Sequence, residues 1–317
     1  MELLPGLHQI RGTLGPRHFF QYLLAGEWLM LVDTGIHTTP LETIFPYMQS
    51  IGLEPGDIDF CLITHADVDH FGGNAAIRQV ADGCVFCAHE LDAPWIQSRE
   101  TILTERYGWY EEHGIPYPAE VKQWLSDALG PDMRLDLLLQ GNEILHLADD
   151  RPLRILHLPG HSPGHLGIYD AANKAAVITD AVLGRGLVDV QGNLISPPPY
   201  FEVEPYLWTI ETLESLEIDR LLTAHYAPMQ GEAVAQFLHD SRAFVQELGD
   251  AVAHIVQHSE EPLTLKDIAR EADARVGPFT EFTNELAGPV RAHLRQLGEQ
   301  GQVVEETKDG AAAWRWR

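Results

Sequence analysis

The chain has 317 residues, 45% hydrophobic and 21% charged, enough to bury a full core in one large domain with a smaller one attached, and ordinary for a soluble globular protein. Twenty-one Lys and Arg against 47 Asp and Glu give a formal charge of −26, which repels nucleic acid and anionic membrane at long range, and no polybasic segment offsets it. The amino terminus lacks a basic region followed by an apolar core, and no stretch approaches the ~18 uninterrupted apolar residues of a membrane span, so a cytoplasmic protein is expected.

Residues 7–35 alternate short apolar runs with turns and end in Asp33-Thr34-Gly35. That pattern predicts an antiparallel meander closing on an acidic turn. Residues 38–52 carry Leu41, Ile44, Phe45 and Met48 at helical spacing, with Pro40 in the first turn. The run 58–63 has the composition of a buried parallel strand, and Phe71-Gly72-Gly73-Asn74 reads as a turn opening the next helix. Between them His65, Asp67, Asp69 and His70 place four metal-ligand residue types within six positions, at the carboxyl end of a strand where open α/β folds put their sites. Two pairs so spaced can address two adjacent cations, and imidazole with carboxylate suits zinc, iron or manganese.

The next strand, 84–88, turns Cys84 and Cys87 to opposite faces. With Cys61 they read as buried, unpaired thiols rather than a redox pair. Residues 92–135 break the rhythm with Trp95, Tyr107, Trp109, Tyr110, His113, Tyr117 and Trp124, an insertion of a size that usually serves function or caps something. Strands resume at 153–158, and the Pro and Gly of Pro159-Gly160-His161-Ser162-Pro163-Gly164-His165 force a reversal expected to leave His161 exposed at a strand end. The strand 175–179 ends at Asp180. In the stiff loop 196–201, Tyr200 is a candidate substrate contact, with a packed loop anchor the better reading. A helix at 205–216 and a strand at 220–223 lead to Ala224-His225-Tyr226.

A long helix from 232 to 258 is followed by a different pattern. Leu265, Ile268 and Ala269 predict one short helix, and Val290, Leu294 and Leu297 a second. Apolar runs either side of Lys308-Asp309-Gly310 predict a hairpin.

The block at 65–70 resembles the signature of the metallo-β-lactamase fold superfamily, His-x-His-x-Asp-His, with Asp67 where the family usually carries a second histidine. Asp33-Thr34-Gly35, the turn around His161, Asp180 and His225 are similar to its other motifs in their order. The resemblance implies an α/β fold, the four-layer αβ/βα sandwich, over residues 1–235, with insertion 92–135 as an aromatic lid on the pocket. It implies His65, Asp67 and His161 on one metal, Asp69, His70 and His225 on a second, and Asp180 bridging. Asp33 then supports the site without binding metal, and His165 supports its loop by hydrogen bonding. Residues 236–317, a linking helix then helix, helix and hairpin, resemble the winged helix carried by the β-lactamase-like protein 2 branch.

Two divalent transition-metal ions about 3.5–4 Å apart would activate a shared water, and Asp69 would orient it and pass a proton to the leaving group. The expected activity is hydrolysis of a small ester, thioester or lactone, as in the glyoxalase II and lactonase branches. The alternatives are a metallo-endoribonuclease or phosphodiesterase and a non-catalytic scaffold with a degenerate site. Residues 260–317 hold 8 Lys or Arg against 11 Asp or Glu, 8 − 11 = −3, which argues against nucleic acid and for packing or homo-oligomerisation. The expected partner is a small-molecule substrate.

Overall fold

The computed structural model describes residues 1–148, 151–308 and 310–317. Strands Leu7–Leu14, Arg17–Ala25 and Leu29–Val32 pair antiparallel as the alternation requires, and Gly15, at a positive φ of 59°, closes the first hairpin. Leu29–Val32 then pairs in parallel with Phe60–Leu62, which pairs in parallel with Val85–His89. The result is one mixed sheet of seven strands. A second mixed sheet of six strands includes Arg151–His157, Leu166–Asp170, Ala175–Val177 and Arg220–Leu222.

Side-chain alternation decides how the two sheets stack. Leu62, Cys87, Tyr22 and Val32 point into one apolar cluster with Ile155, Ile168, Val177 and Leu222 of the second sheet. Cys61, Ile63 and Phe86 point the other way, into a cluster shared with the helical residues Ile44, Met48 and Ile77. Cys84 lies in this outer cluster and Cys87 in the inner one, and all three thiols are free and buried. The architecture is therefore an α/β sandwich of two mixed sheets with helices packed outside.

Local structure departs from the expected boundaries at two places before the metal-ligand block ends. The helix expected at 38–52 begins as a π-helical turn, Pro40–Ile44, before Phe45–Ser50 becomes α-helical. The turn expected at 71–74 is preceded by a helical turn, Val68–Phe71, so Asp69 and His70 lie on a helix rather than in a loop.

Helix Glu232–Gln257 packs along its length against the rest of the fold. Val234, Phe237, Phe244, Leu248, Val252 and Ile255 are buried along it, in one cluster with Leu156 of the second sheet, Ile178 just beyond the strand Ala175–Val177, and Ile268, Val290 and Leu294. Helices Leu265–Val276 and Ala287–Glu299 follow, then strands Val303–Lys308 and Ala311–Trp316, joined with Leu263–Thr264 in a small sheet. Asp309, in the expected hairpin turn, lies outside the described residues. Among the described residues no helix is long and apolar enough to cross a membrane.

Candidate metal centre

The strand Phe60–Leu62 delivers Thr64 and His65 to the sheet's end, and Asp33 receives them. Asp33 sits at φ 61°, an unusual conformation that Asp tolerates better than most residues. From there Oδ1 accepts the Thr64 amide at 2.7 Å, and Oδ2 accepts the Thr64 hydroxyl at 2.8 Å and His70 Nδ1 at 2.7 Å. One carboxylate thus ties the end of the strand to the helical turn that carries Asp69 and His70.

The four histidines are oriented alike. The single Thr64 hydroxyl proton goes to Asp33, so that oxygen accepts from His65 Nδ1 at 3.0 Å. His70 Nδ1 donates to Asp33, His161 Nδ1 to the Pro199 carbonyl at 2.8 Å, and His225 Nδ1 to the His18 carbonyl at 2.8 Å. Each ring therefore has its Nδ1 engaged by the scaffold and its Nε2 turned inward, the orientation of metal-ligating imidazoles. Burial pushes the His65 pKa down to about 4, so that ring is neutral and free to donate its lone pair.

Ligand-type atoms of His65, His161 and Asp180 lie within 4.8 Å of one another, and so do those of Asp69, His70 and His225. Asp180 joins the groups, its Oδ2 3.2 Å from both His70 Nε2 and His225 Nε2. Burial would raise its pKa, but His225 and His70 hold it well below the carboxylate range. His65 Nε2 and Asp180 Oδ1 are buried without a hydrogen-bond partner. Unpaired buried polar atoms of this kind are costly, and a pair of cations bound among these donors would satisfy both. The donor set fits two His/Asp-bound metal ions.

His161, expected to be exposed, is 1% exposed because the insertion and the 196–201 loop close over it. His165 belongs to neither group. It stacks on His65, ring centroids 4.6 Å apart, and its Nε2 meets the Thr179 hydroxyl at 3.3 Å. Thr179 holds a positive φ of 42°, rare for a β-branched residue, and this backbone turn aims Asp180 at the centre.

Asp67 also lies outside both groups. Arg106 Nε and Nη2 reach its two oxygens at 3.1 and 3.2 Å, the Tyr107 hydroxyl donates at 3.2 Å, and His161 Nε2 and His65 Nε2 stand 2.9 and 3.5 Å away. Burial opposes its charge, but Arg106 and His161 keep its pKa well below the carboxylate range.

The centre opens into a cleft with a cavity of about 60 Å³. Of the aromatic residues in the insertion, Tyr107, Tyr110, Tyr117 and Trp124 line it, while Trp109 stacks on His113 at 4.2 Å away from the cleft. Tyr200 does not line it. It is fully buried, stacked on Tyr206 at 4.6 Å, with its hydroxyl 2.8 Å from His293 Nε2, so the anchor reading describes it.

Four contributors carry no motif in the sequence. Arg17 Nη2 meets Asp69 Oδ2 at 3.3 Å. Asp92 accepts from Ala66 N, Ser162 Oγ and Gly164 N at 3.0, 2.6 and 2.7 Å and so clamps two ligand-bearing loops together. Arg106 enters from the insertion. Glu285 lines the cleft from the carboxy-terminal segment, accepts from the Tyr117 hydroxyl at 3.0 Å, and has its pKa pushed up to about 7 by burial. Their ligand-site roles depend on contacts 26 to 168 residues apart in sequence.

A family model described as "Metallo-beta-lactamase superfamily" matches residues 20–225. The chain is 28% identical over 220 residues to the acyl-coenzyme A thioesterase MBLAC2 of Homo sapiens, covering 63% of this chain and 67% of that protein. It is 31% identical over 126 residues to the hydroxyacylglutathione hydrolase GloC of Haemophilus influenzae, covering 40% and 50%. A metallo-beta-lactamase family protein from Thermus thermophilus superposes over 100% of both chains with a TM-score of 0.77 at 22% identity, a likeness of fold.

Proposed function

The chain belongs to the metallo-β-lactamase superfamily and is a metal-dependent hydrolase, and from that premise we propose that its substrate is a small thioester, with esters and lactones open to the same attack at a carbonyl. The observation that carries this reading is the convergence of inward-facing Nε2 and carboxylate atoms in two adjoining groups at the base of a narrow cleft. The names of two relatives, an acyl-coenzyme A thioesterase and a hydroxyacylglutathione hydrolase, support the thioester.

His65, His161 and Asp180 would hold one cation, with Asp67 beside them. Asp69, His70 and His225 would hold the other, Asp180 serving both. Two such cations, of zinc, iron or manganese, supply an activated water and Lewis-acid stabilisation of the oxyanion. Asp69 faces the cleft and is steadied by Arg17, so it is placed to orient the attacking water and to carry a proton to the departing thiolate. Tyr107 and Arg106 hold Asp67 in place and leave the cleft mouth lined with aromatic surface.

We read the carboxy-terminal unit as winged-helix-like and as part of the cleft wall rather than a nucleic-acid reader. Arg291 is paired with Glu305 at 3.4 Å, and Arg295 with Glu202 at 3.4 Å and Glu299 at 3.7 Å, so a phosphate would meet a carboxylate beside each. The test is metal analysis of the isolated protein followed by turnover of matched thioesters, esters, lactones and a phosphodiester. Thioester turnover that chelation abolishes and added metal restores is expected. Turnover of the phosphodiester alone would overturn the reading.

A further inference from the structure

We propose that an apolar groove beside the metal cleft, walled by Leu14, Pro16, Val121, Trp124 and Phe282, takes the hydrocarbon tail of an acyl thioester, and that Phe282 determines which tails reach the centre. The proposal rests on the thioester reading of the adjoining cleft.

Three stretches distant in sequence build the groove. The hairpin between Leu7–Leu14 and Arg17–Ala25 gives Leu14 and Pro16. Helix Ala119–Ala128 presents one face at i, i+3 and i+4, where Val121 and Trp124 line the groove and Trp124 and Leu125 line the metal cleft. The carboxy-terminal segment supplies Phe282. Arg17, Trp124 and Phe282 line both spaces, which therefore adjoin with these three side chains at their junction.

The two spaces differ in what they can hold. The inner cavity is the smaller, about 60 Å³, and mixes aromatic walls with the charged groups of Asp67, Asp69, Arg106, Asp180 and Glu285. The groove is about 220 Å³, and its walls offer mainly carbon surface. An occupant with polar groups would lose its hydrogen bonds to water there without replacement, whereas a hydrocarbon tail gains by leaving water. Glu120 and Glu281 also line the groove, and their carboxylates disfavour a tail ending in an anion.

Phe282 is held at this junction. Its backbone holds the left-handed conformation at φ 47° and ψ 36°, costly for a bulky residue and so maintained by its surroundings. Just before it, the amides of Thr280 and Glu281 both donate to the Ile195 carbonyl, at 2.9 and 2.7 Å. The Arg17 guanidinium lies 5.6 Å from the centre of the Phe282 ring while pairing with Asp69, so Arg17 links the junction to the proposed proton carrier.

The test uses the metal-loaded full chain and a series of S-acyl thioesters of one thiol, from acetyl to dodecanoyl. kcat/KM is expected to rise roughly fourfold per added CH2 until the groove is filled, and Phe282→Ala to move the optimum to longer or branched tails. Val121→Asp is expected to lower the decanoyl-to-acetyl ratio of kcat/KM at least tenfold. Calorimetric titration with a non-hydrolysable decyl thioether reads the groove without catalysis, and Val121→Asp should weaken that binding at least tenfold. A flat chain-length profile in the wild type, or decyl thioether binding that Val121→Asp leaves unmoved, overturns the groove. Failure of every thioester to turn over, with decyl thioether binding intact, overturns the thioesterase reading and spares the groove.

Discussion

Arg106 and Asp67 form a buried, two-nitrogen ion pair: Nε lies 3.1 Å from Oδ1 and Nη2 3.2 Å from Oδ2, with the guanidinium 4.6 Å from the centre of the Phe201 ring. Asp67 stands where superfamily members usually carry a histidine, and the insertion supplies the cation that its extra negative charge calls for. The fork geometry suits arginine, whose two nitrogens match two carboxylate oxygens.

Removing Arg106 leaves that carboxylate buried and without its cation. Arg106→Met is therefore expected to destabilise the chelator-treated protein by about 3 kcal/mol, measured by urea denaturation, and Arg106→Lys by less. Asp67→His alone strands the guanidinium and is expected to destabilise as well. The double variant Asp67→His/Arg106→Met should recover at least about 2 kcal/mol of the summed loss. Strict additivity would show that the two side chains are not energetically coupled. The double variant should also favour zinc over iron or manganese in a competition assay, because the substitution brings an imidazole nitrogen beside His65 and His161.

Asp33 supports His70 and Thr64 without lining the cleft. Losing it frees the His70 ring to turn and removes the acceptor that fixes the Thr64 hydroxyl, and through it His65. Asp33→Ala is expected to weaken metal binding roughly 10- to 100-fold, read by competition with a chromophoric chelator. Asp33→Asn tolerates the same left-handed backbone and should lose less. Equal affinity in Asp33→Ala and wild type would remove Asp33 from the site.

His293 couples pH to the packing of the carboxy-terminal helices. It lies on Ala287–Glu299 and accepts the Tyr200 hydroxyl, and a Cβ added at Gly249 of the long helix would come within 3.0 Å of its ring. Burial pushes its pKa from the ordinary 6.5 down to about 4, with Asp250 opposing. The unfolded chain therefore takes up the proton first as pH falls. The stabilisation is complete above about pH 6.5 and is lost progressively as pH drops towards 4, by up to about 3 kcal/mol. His293→Gln should flatten the stability profile over that window, measured by urea denaturation at stepped pH. A profile with the same slope in wild type and variant would exclude His293 as its source.

Nucleic-acid binding is expected to be weak. Arg291 and Arg295 are already engaged by acidic side chains of this protein, and the whole chain carries −26. Phosphate contacts would have to displace those pairs against a repulsive field. Anisotropy titration with single- and double-stranded oligonucleotides at physiological salt should show no submicromolar binding. Tight binding lost on Arg291→Glu/Arg295→Glu would contradict this.

What the sequence determined by itself was whatever local chemistry and periodicity encode. The alternating runs before Asp33, the parallel strand before His65 and the opposite facing of Cys84 and Cys87 follow from side-chain period and strand length. His65, Asp69, His70, His161, Asp180 and His225 stood in recognisable strand-end motifs, because ligands must leave a strand where its hydrogen bonding stops. Tertiary structure decided the partners. Arg106 reaches Asp67 across 39 residues, Asp92 reaches Gly164 across 72, and Tyr117 reaches Glu285 across 168, none at a spacing that a helix or strand would betray. It also buried His161, which the Pro-Gly turn alone would have left at the surface, because the insertion and the 196–201 loop close over it. Short-range periodicity fixes where a side chain leaves its own element. Which distant group meets it there is set by how the sheets, insertion and carboxy-terminal helices pack.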